Sequence, residues 1–368
     1  MGARPDAIVV GGGVIGCAVA YRLAREGLAV TLLEGGEIGA QASGAAAGML
    51  APASEAEGPG PLLRLGLESL ALYPAWAAEL RARSGIDPEL ERCGVLRVAE
   101  SPQTAEALAR HATALPEAEL TWLDAAALRA AEPALAPGLA GALLAPGEAH
   151  VRTPLLVRAL AAAAAGAGAR LEAGTPVVGL LRDGARVTGV ATARGPEPAG
   201  AVVLCTGSWT AGAAAWVEPA FAAPVVPVRG QIVALDAPRP PLARIVWGEG
   251  AYLVPRRDGS VAVGATVERV GFDCRVTAEG VRALLAGACA LAPALAGASF
   301  RGAWAGLRPD TPDHLPLVGP VPGLAGLFLA AGHYRNGVLL APLTGDLVAE
   351  GLAGKPWRAP ALLPSRFT

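Results

Sequence analysis

"AIVVGGGVIGCAVAYRLAREGLAVTLLE", Ala7 to Glu34, is the stretch on which the fold of this chain turns. Ala7 to Val10 read as a short apolar strand, Gly11 to Gly16 as a tight turn, "CAVAYRLAREG" as an Ala-rich helix ending at Gly27, and "AVTLLE" as a second strand closing on Glu34. Each glycine has its own task. Gly11 permits the turn, Gly13 lets the backbone approach a pyrophosphate at the helix N-terminus, and Gly16 lets helix and strand pack closely. Glu34 is placed to accept hydrogen bonds from a ribose, and its charge argues against a 2'-phosphate. A G-x-G-x-x-G motif alone often serves merely as a turn; strand, helix, second strand and terminal acid in sequence point to a dinucleotide. They do not separate FAD from NAD.

Composition bounds the rest. With 368 residues, 53% hydrophobic and 17% charged, the chain can bury a large core and divides into two domains. Its net charge of -2 comes from 30 basic and 32 acidic residues spread without a basic cluster, which argues against nucleic acid or an anionic membrane and for small-molecule partners. Apolar runs such as "ALAAAAAGAGA" (Ala159 to Ala169) are soon interrupted, so no membrane span is expected. The start of the chain runs straight into a strand without the pattern of a leader, and five scattered cysteines, Cys17, Cys93, Cys205, Cys274 and Cys289, fit a reduced cytoplasm better than a disulfide framework or a metal site.

Soon after Glu34 comes "ASGAAAGMLAP" (Ala42 to Pro52), whose small residues allow backbone to lie against a bulky planar group. Taken together, Gly11 to Gly16, Glu34 and "SGAAAGML" resemble the D-amino-acid oxidase superfamily of FAD enzymes, and especially the glycine oxidases linked to thiamine biosynthesis. The resemblance runs from Ile8 to about Gly354, with the motifs in the family's order. It implies an α/β fold: a two-dinucleotide-fold FAD-binding domain (1–88, 148–218 and 305–368) with an inserted α+β substrate domain (89–147 and 219–304) on a mainly antiparallel sheet.

The rest of the chain accords with that organisation. "PLLRLGLESLALYPAWAAELRARSG" (Pro61 to Gly85) reads as a scaffold helix stopped by glycine. "AVVLCTGSWT" (Ala201 to Thr210) reads as a buried strand ending in Thr206 and Gly207, which the resemblance implies lie against the cofactor, and Val225 to Thr266 alternates like an antiparallel sheet with a hairpin at "RDGS".

Two arginines stand in apolar or Gly-rich surroundings, Arg308 in "AWAGLRPDTPD" and Arg335 in "GHYRNG". A buried guanidinium without a partner is costly, so such positions call for an anion. By the resemblance, Arg308 clamps a substrate carboxylate, Tyr252 of "AYLVP" donates a hydrogen bond to it, and Arg335 sits close by. The resemblance also implies cofactor contacts from Val14, Ile15, Glu34, Gly35, Ala42, Ser43, Ala47, Gly48, Met49 and Val177, and from the backbone of "HYRNGVL" (His333, Tyr334, Arg335, Asn336, Gly337, Val338 and Leu339). Met49, Tyr252, Val267, Arg308 and Arg335 would form the substrate pocket.

The implied chemistry is loss of hydride from the alpha carbon of a neutral amine to the flavin. The imine then hydrolyses to glyoxylate or a keto acid, and oxygen is reduced to hydrogen peroxide. No side-chain base on carbon is needed, in keeping with four histidines of which only His333 lies in a motif. Related sarcosine oxidases tether flavin through a cysteine near "WAGLRP"; none stands there, so FAD is expected to be non-covalent. Where better-known glycine oxidases carry methionine, histidine and cysteine, this chain has Val267, Gly250 and Ala251, which implies room for a bulky N-substituted glycine. Rival expectations are a quinone-linked D-amino-acid dehydrogenase, a tRNA-modifying domain and a catalytically silent FAD protein. A homo-oligomer is expected from the resemblance alone.

Overall fold

The computed structural model describes residues 4–217, 223–237 and 242–367. Strand Ala7–Val10 is buried at every position and pairs in parallel with Val30–Leu33 on one side and Ala201–Leu204 on the other. The sheet extends to Arg170–Glu172 at one edge and through Leu327–Ala331 to the antiparallel edge strand Leu317–Pro320 at the other. Its central strands are continuous apolar runs because both faces are covered. Helices Val14–Arg25, Thr153–Gly166 and Gly337–Leu352 bury one face in a core that includes Val19, Leu160 and Leu343. A three-stranded antiparallel sheet, Val177–Asp183, Arg186–Thr192 and Gly195–Pro198, closes the other through Val187 and Val190 against Ile8 and Val202. The expected scaffold helix is Pro61–Ser84, stopped by Gly85 at φ +73°.

A second sheet of eight strands runs in the order Ser299–Asp310, Val226–Asp236, Ser260–Gly264, Tyr252–Pro255, Ile245–Trp247, Val95–Ala99, Gly141–Ala145 and Thr121–Asp124. All its pairs are antiparallel except Ile245–Trp247 with Val95–Ala99. The hairpin read at "RDGS" joins Tyr252–Pro255 to Ser260–Gly264, with the Arg256 N–H donating to the Ser260 carbonyl at 2.9 Å.

Two details differ from the sequence reading. The first helix begins at Val14, inside the glycine stretch. The return to the nucleotide-binding sheet, expected at 305, comes after Asp310, because Ser299–Asp310 pairs along its length with Val226–Asp236, from Asp236 opposite Ser299 to Val226 opposite Asp310. A long antiparallel ladder keeps residues 305–310 in the second sheet. The boundary expected at 218 and 219 lies outside the described residues.

Candidate active site

A cavity of about 870 Å³ runs between the two sheets, from Glu34 to Tyr252. At the first end the chain turns at Gly11, whose φ of +108° and contact with the Cys205 carbonyl exclude a side chain. Gly11, Gly13, Val14, Ile15, Glu34 and Gly35 line the wall. Gly16 does not: it lies beneath, where a Cβ would overlap the Gly11 carbonyl, the close helix-to-strand contact expected of it. Glu34 is held at its strand end by N–H donors from Gly12 and Gly36, both at 2.7 Å. The Val14 N–H at the helix start donates to Ser43 Oγ at 2.9 Å. A helix N-terminus, an acid at the strand end and a wall of small residues suit the pyrophosphate, ribose and ring system of a dinucleotide.

The middle of the cavity is bordered by Ala42, Ser43, Ala47, Gly48, Met49, Val177, Thr206 and Gly207. Here the small-residue segment is pinned from outside. Trp304 Nε1 donates to the Ala45 carbonyl at 3.0 Å, Met49–Leu50 pairs with Ala149–His150, and the Arg256 guanidinium donates to the Ala47 carbonyl and, at 3.0 Å, to that of Val151. Gly306 has no side chain to displace Ala45, since a Cβ there would come within 2.5 Å of it. Gly48, at φ +77°, turns under the Val151 carbonyl. Arg256 escaped sequence reading because it stands beside the surface residue Arg257 in a hairpin turn. Burial, helped by the charge of Arg152, lowers its pKa to about 10, so it remains a cation at neutral pH.

Of "HYRNGVL", His333, Tyr334, Arg335, Gly337 and Val338 line the cavity, whereas Asn336 and Leu339 do not. The reason is geometric. Asn336 is the residue before helix Gly337–Leu352 and is buried, while Leu339 falls on the core side of that helix, its carbonyl accepting from Ser69 Oγ at 2.6 Å. Tyr334 takes φ +48°, a strained conformation for a non-glycine residue, with its N–H bonded to the Pro309 carbonyl at 2.7 Å. His333 Nε2 lies 3.1 Å from Thr344 Oγ1, and burial lowers its pKa to about 3, so the ring is neutral.

At the far end stand Tyr252, Arg308 and Arg335 with Val267 at an exposed part of the rim. Arg308 lies over Gly230, where a Cβ would strike the guanidinium, and donates to the Thr266 carbonyl at 3.1 Å. Thr266 is itself fixed, with Oγ1 accepting from the Gln231 N–H at 2.9 Å and donating to Glu268, the ion-pair partner of Arg229. Arg335 stacks on the Tyr334 ring with its guanidinium carbon 5.1 Å from the centroid. Neither Arg308 nor Arg335 forms an ion pair among the described residues, although the charge of both acts on the Glu55 carboxyl. Burial raises the Tyr252 phenol pKa, the charge of Arg308 opposing it. Sequence reading missed Glu55, which lines the same region. It is one of several acids in "ASEAEG", and nothing local marks it out.

No group of acids, histidines and cysteines that could hold a metal is present among the described residues. The cysteines are free; Cys205 borders the cavity, and burial raises its thiol pKa.

The family model described as FAD dependent oxidoreductase matches residues 6–351 of this chain. The glycine oxidase of Geobacillus kaustophilus (strain HTA426) is 43% identical over 352 residues, 94% of this chain and 92% of that protein. Among solved structures, glycine oxidase from Geobacillus kaustophilus superposes with a TM-score of 0.96 at 41% identity over 100% of both chains. Iminodiacetate oxidase from Chelativorans sp. BNC1 superposes with a TM-score of 0.86 at 30% identity over 98% of both.

Proposed function

Because this chain belongs to the FAD dependent oxidoreductase family, we propose that its cavity serves cofactor and substrate together and that the enzyme oxidises glycine or an N-substituted glycine. The observation that carries the reading is the pair of guanidiniums, Arg308 and Arg335, which line the cavity with Tyr252 and form no ion pair among the described residues. Two cations and a phenol at the end of a long cavity suit one carboxylate. The relatives named for glycine and iminodiacetate oxidation support an amine carrying that carboxylate.

The residues fit FAD: the helix start at Val14 and Ile15 for its pyrophosphate, Glu34 for its ribose, and Ala42 to Met49 with Thr206, Gly207 and the His333 to Val338 segment for the ring system. When bound, FAD supplies the two-electron acceptor for the substrate's alpha-carbon hydride and passes the electrons to oxygen. The protein's part is orientation. Arg308 clamps the carboxylate, Tyr252 donates to it, and Arg335 supplies a second positive charge. With the carboxylate set, the alpha carbon is turned toward the small-residue wall. The cofactor is held without a covalent bond, no cysteine standing between Trp304 and Pro309; acid precipitation should leave the flavin in solution.

Gly250, Ala251 and Val267 border the substrate end. A Cβ at Gly250 would meet nothing nearer than the Gly287 backbone at 3.7 Å, so packing does not require glycine there. The space left by that small residue favours a bulky N-substituent. Oxidation of such a secondary amine yields glyoxylate and a free amine. No helix among the described residues is long and apolar enough to cross a membrane, and a cytoplasmic homo-oligomer is the expected working form.

Peroxide release by the holoenzyme against glycine, sarcosine, bulky N-alkylglycines, D-alanine and D-proline tests this reading. The expected result is a ranking led by N-alkylglycines. Preference for glycine or sarcosine over every bulky N-alkylglycine refutes the larger substrate; flavin bleached anaerobically by substrate without peroxide in air replaces the oxidase by a dehydrogenase.

A further inference from the structure

Glu55 closes the short helix Pro52–Glu55 and lines the cavity with Tyr252, Arg308 and Arg335. Both guanidiniums act on its carboxyl, and Glu55 acts in turn on the Tyr252 phenol, so groups from four separate segments share one electrostatic neighbourhood. Its side chain has no hydrogen bond or ion pair among the described residues. The other lining carboxylates are engaged: Glu34 accepts from Gly12 and Gly36, and Glu249 from Thr104. His333, the lining histidine, is paired with Thr344.

The chemistry leaves one requirement unmet. A substrate amine enters at neutral pH as an ammonium ion, and hydride leaves the alpha carbon only when the nitrogen lone pair is available. Arg308, Arg335 and Tyr252 answer the carboxylate and repel or ignore the ammonium. We propose that Glu55 meets the substrate's ammonium group and takes its proton, an inference that rests on the amine-oxidase reading above. One N–H bond breaks and one O–H bond forms on the Glu55 carboxyl. The electron pair stays on nitrogen, nothing is oxidised or reduced in this step, and the proton later leaves to water through the cavity mouth.

The surroundings suit a base. Burial raises the pKa of the Glu55 carboxyl, while Arg335 and Arg308 oppose that rise. Behind it, Glu148 accepts from the Ala53 and Ser54 N–H groups at 2.6 and 2.9 Å and from the Ser54 hydroxyl, which holds the short helix in place. His111 Nε2 lies 2.9 Å from the Ala53 carbonyl, and Arg97, over the Trp247 ring, acts on Glu148 rather than on Glu55.

The test compares wild-type, Glu55→Gln and Glu55→Asp holoenzymes, with flavin content as the check on folding. It follows kcat/KM and anaerobic flavin reduction against pH, together with binding of glycolate, a carboxylate without an amine. Glu55→Gln should lose roughly 100-fold in kcat/KM near pH ~7 and recover towards wild type near pH ~10, where the amine enters neutral. Glycolate affinity should stay within about twofold, since Glu55 answers the amine rather than the carboxylate, and Glu55→Asp should restore part of the activity. A loss equal at every pH, no loss at all, or parallel loss of glycolate binding overturns the proposal. A wild type that oxidises no amine in the panel overturns the functional reading and this one with it; an active wild type matched by Glu55→Gln overturns this one alone.

Discussion

Arg308 offers the sharpest test of the carboxylate clamp, through Arg308→Lys and Arg308→Ala. In the structure one guanidinium nitrogen donates to the Thr266 carbonyl at 3.1 Å. The remaining N–H donors of the fork are available to a ligand. A carboxylate held by two of them makes two charge-assisted bonds. Lysine keeps the charge but has no fork, and a bond to Thr266 leaves it one good donor for the ligand. Loss of one charge-assisted hydrogen bond costs ~1.5–3 kcal/mol, or roughly 10- to 150-fold in kcat/KM. Alanine removes the charge as well, and the expected loss is roughly 1,000-fold, with Arg335 left to retain some affinity. The assay is coupled peroxide release, with flavin absorbance per chain as the control. The effect should fall mainly on KM with flavin retained, and glycine amide, which lacks the carboxylate, should discriminate little between wild type and Arg308→Ala. Unchanged kcat/KM in Arg308→Ala, or loss of flavin in place of a rise in KM, refutes the clamp.

Gly48→Ala places a side chain at φ +77° against the Val151 carbonyl, so flavin per chain and Tm should both fall; full flavin with an unchanged Tm would separate Gly48 from the cofactor wall. Burial raises the Glu148 pKa from 4.5 to about 7, so between those values the unfolded chain ionises while the folded one holds its proton, and stability falls as pH rises. That rise corresponds to ~3 kcal/mol. Glu148→Gln should therefore show a shallower decline of Tm from pH ~5 to ~8 than wild type, and parallel curves would contradict it. Gly250→His should fold, because a Cβ there has space, and should cut kcat/KM for bulky N-alkylglycines at least about 10-fold more than for glycine. Equal losses for both would show that residue 250 does not bound the substituent.

Local chemistry made part of this molecule readable. Gly11, Gly13 and Gly16 answer demands set within one turn and one helix, and Glu34 ends the adjoining strand, so their spacing alone announces a dinucleotide site. The same holds for Pro61–Ser84, whose glycine stop is a property of the helix itself. Arg308 and Arg335 stood out because few local partners surround them. Arg256 and Trp304 did not, since their tasks lie with Ala47 and Ala45 at the other end of the chain. Nor could local pattern separate Val338 from Leu339: both join the core, and the packing of Gly337–Leu352 decides that Val338 also reaches the cavity.

By itself, then, the order of residues determined the dinucleotide turn, the antiparallel hairpin at "RDGS" and the arginines that want an anion. Tertiary structure alone decided which charges find protein partners. Arg229 meets Glu268 and Asp273, Arg256 meets backbone carbonyls, and Glu55 lines the cavity with Arg308 and Arg335, whose charges act on it. The reason is physical: Coulombic and hydrogen-bond energies depend on separation and burial in space, and distance along the chain measures neither.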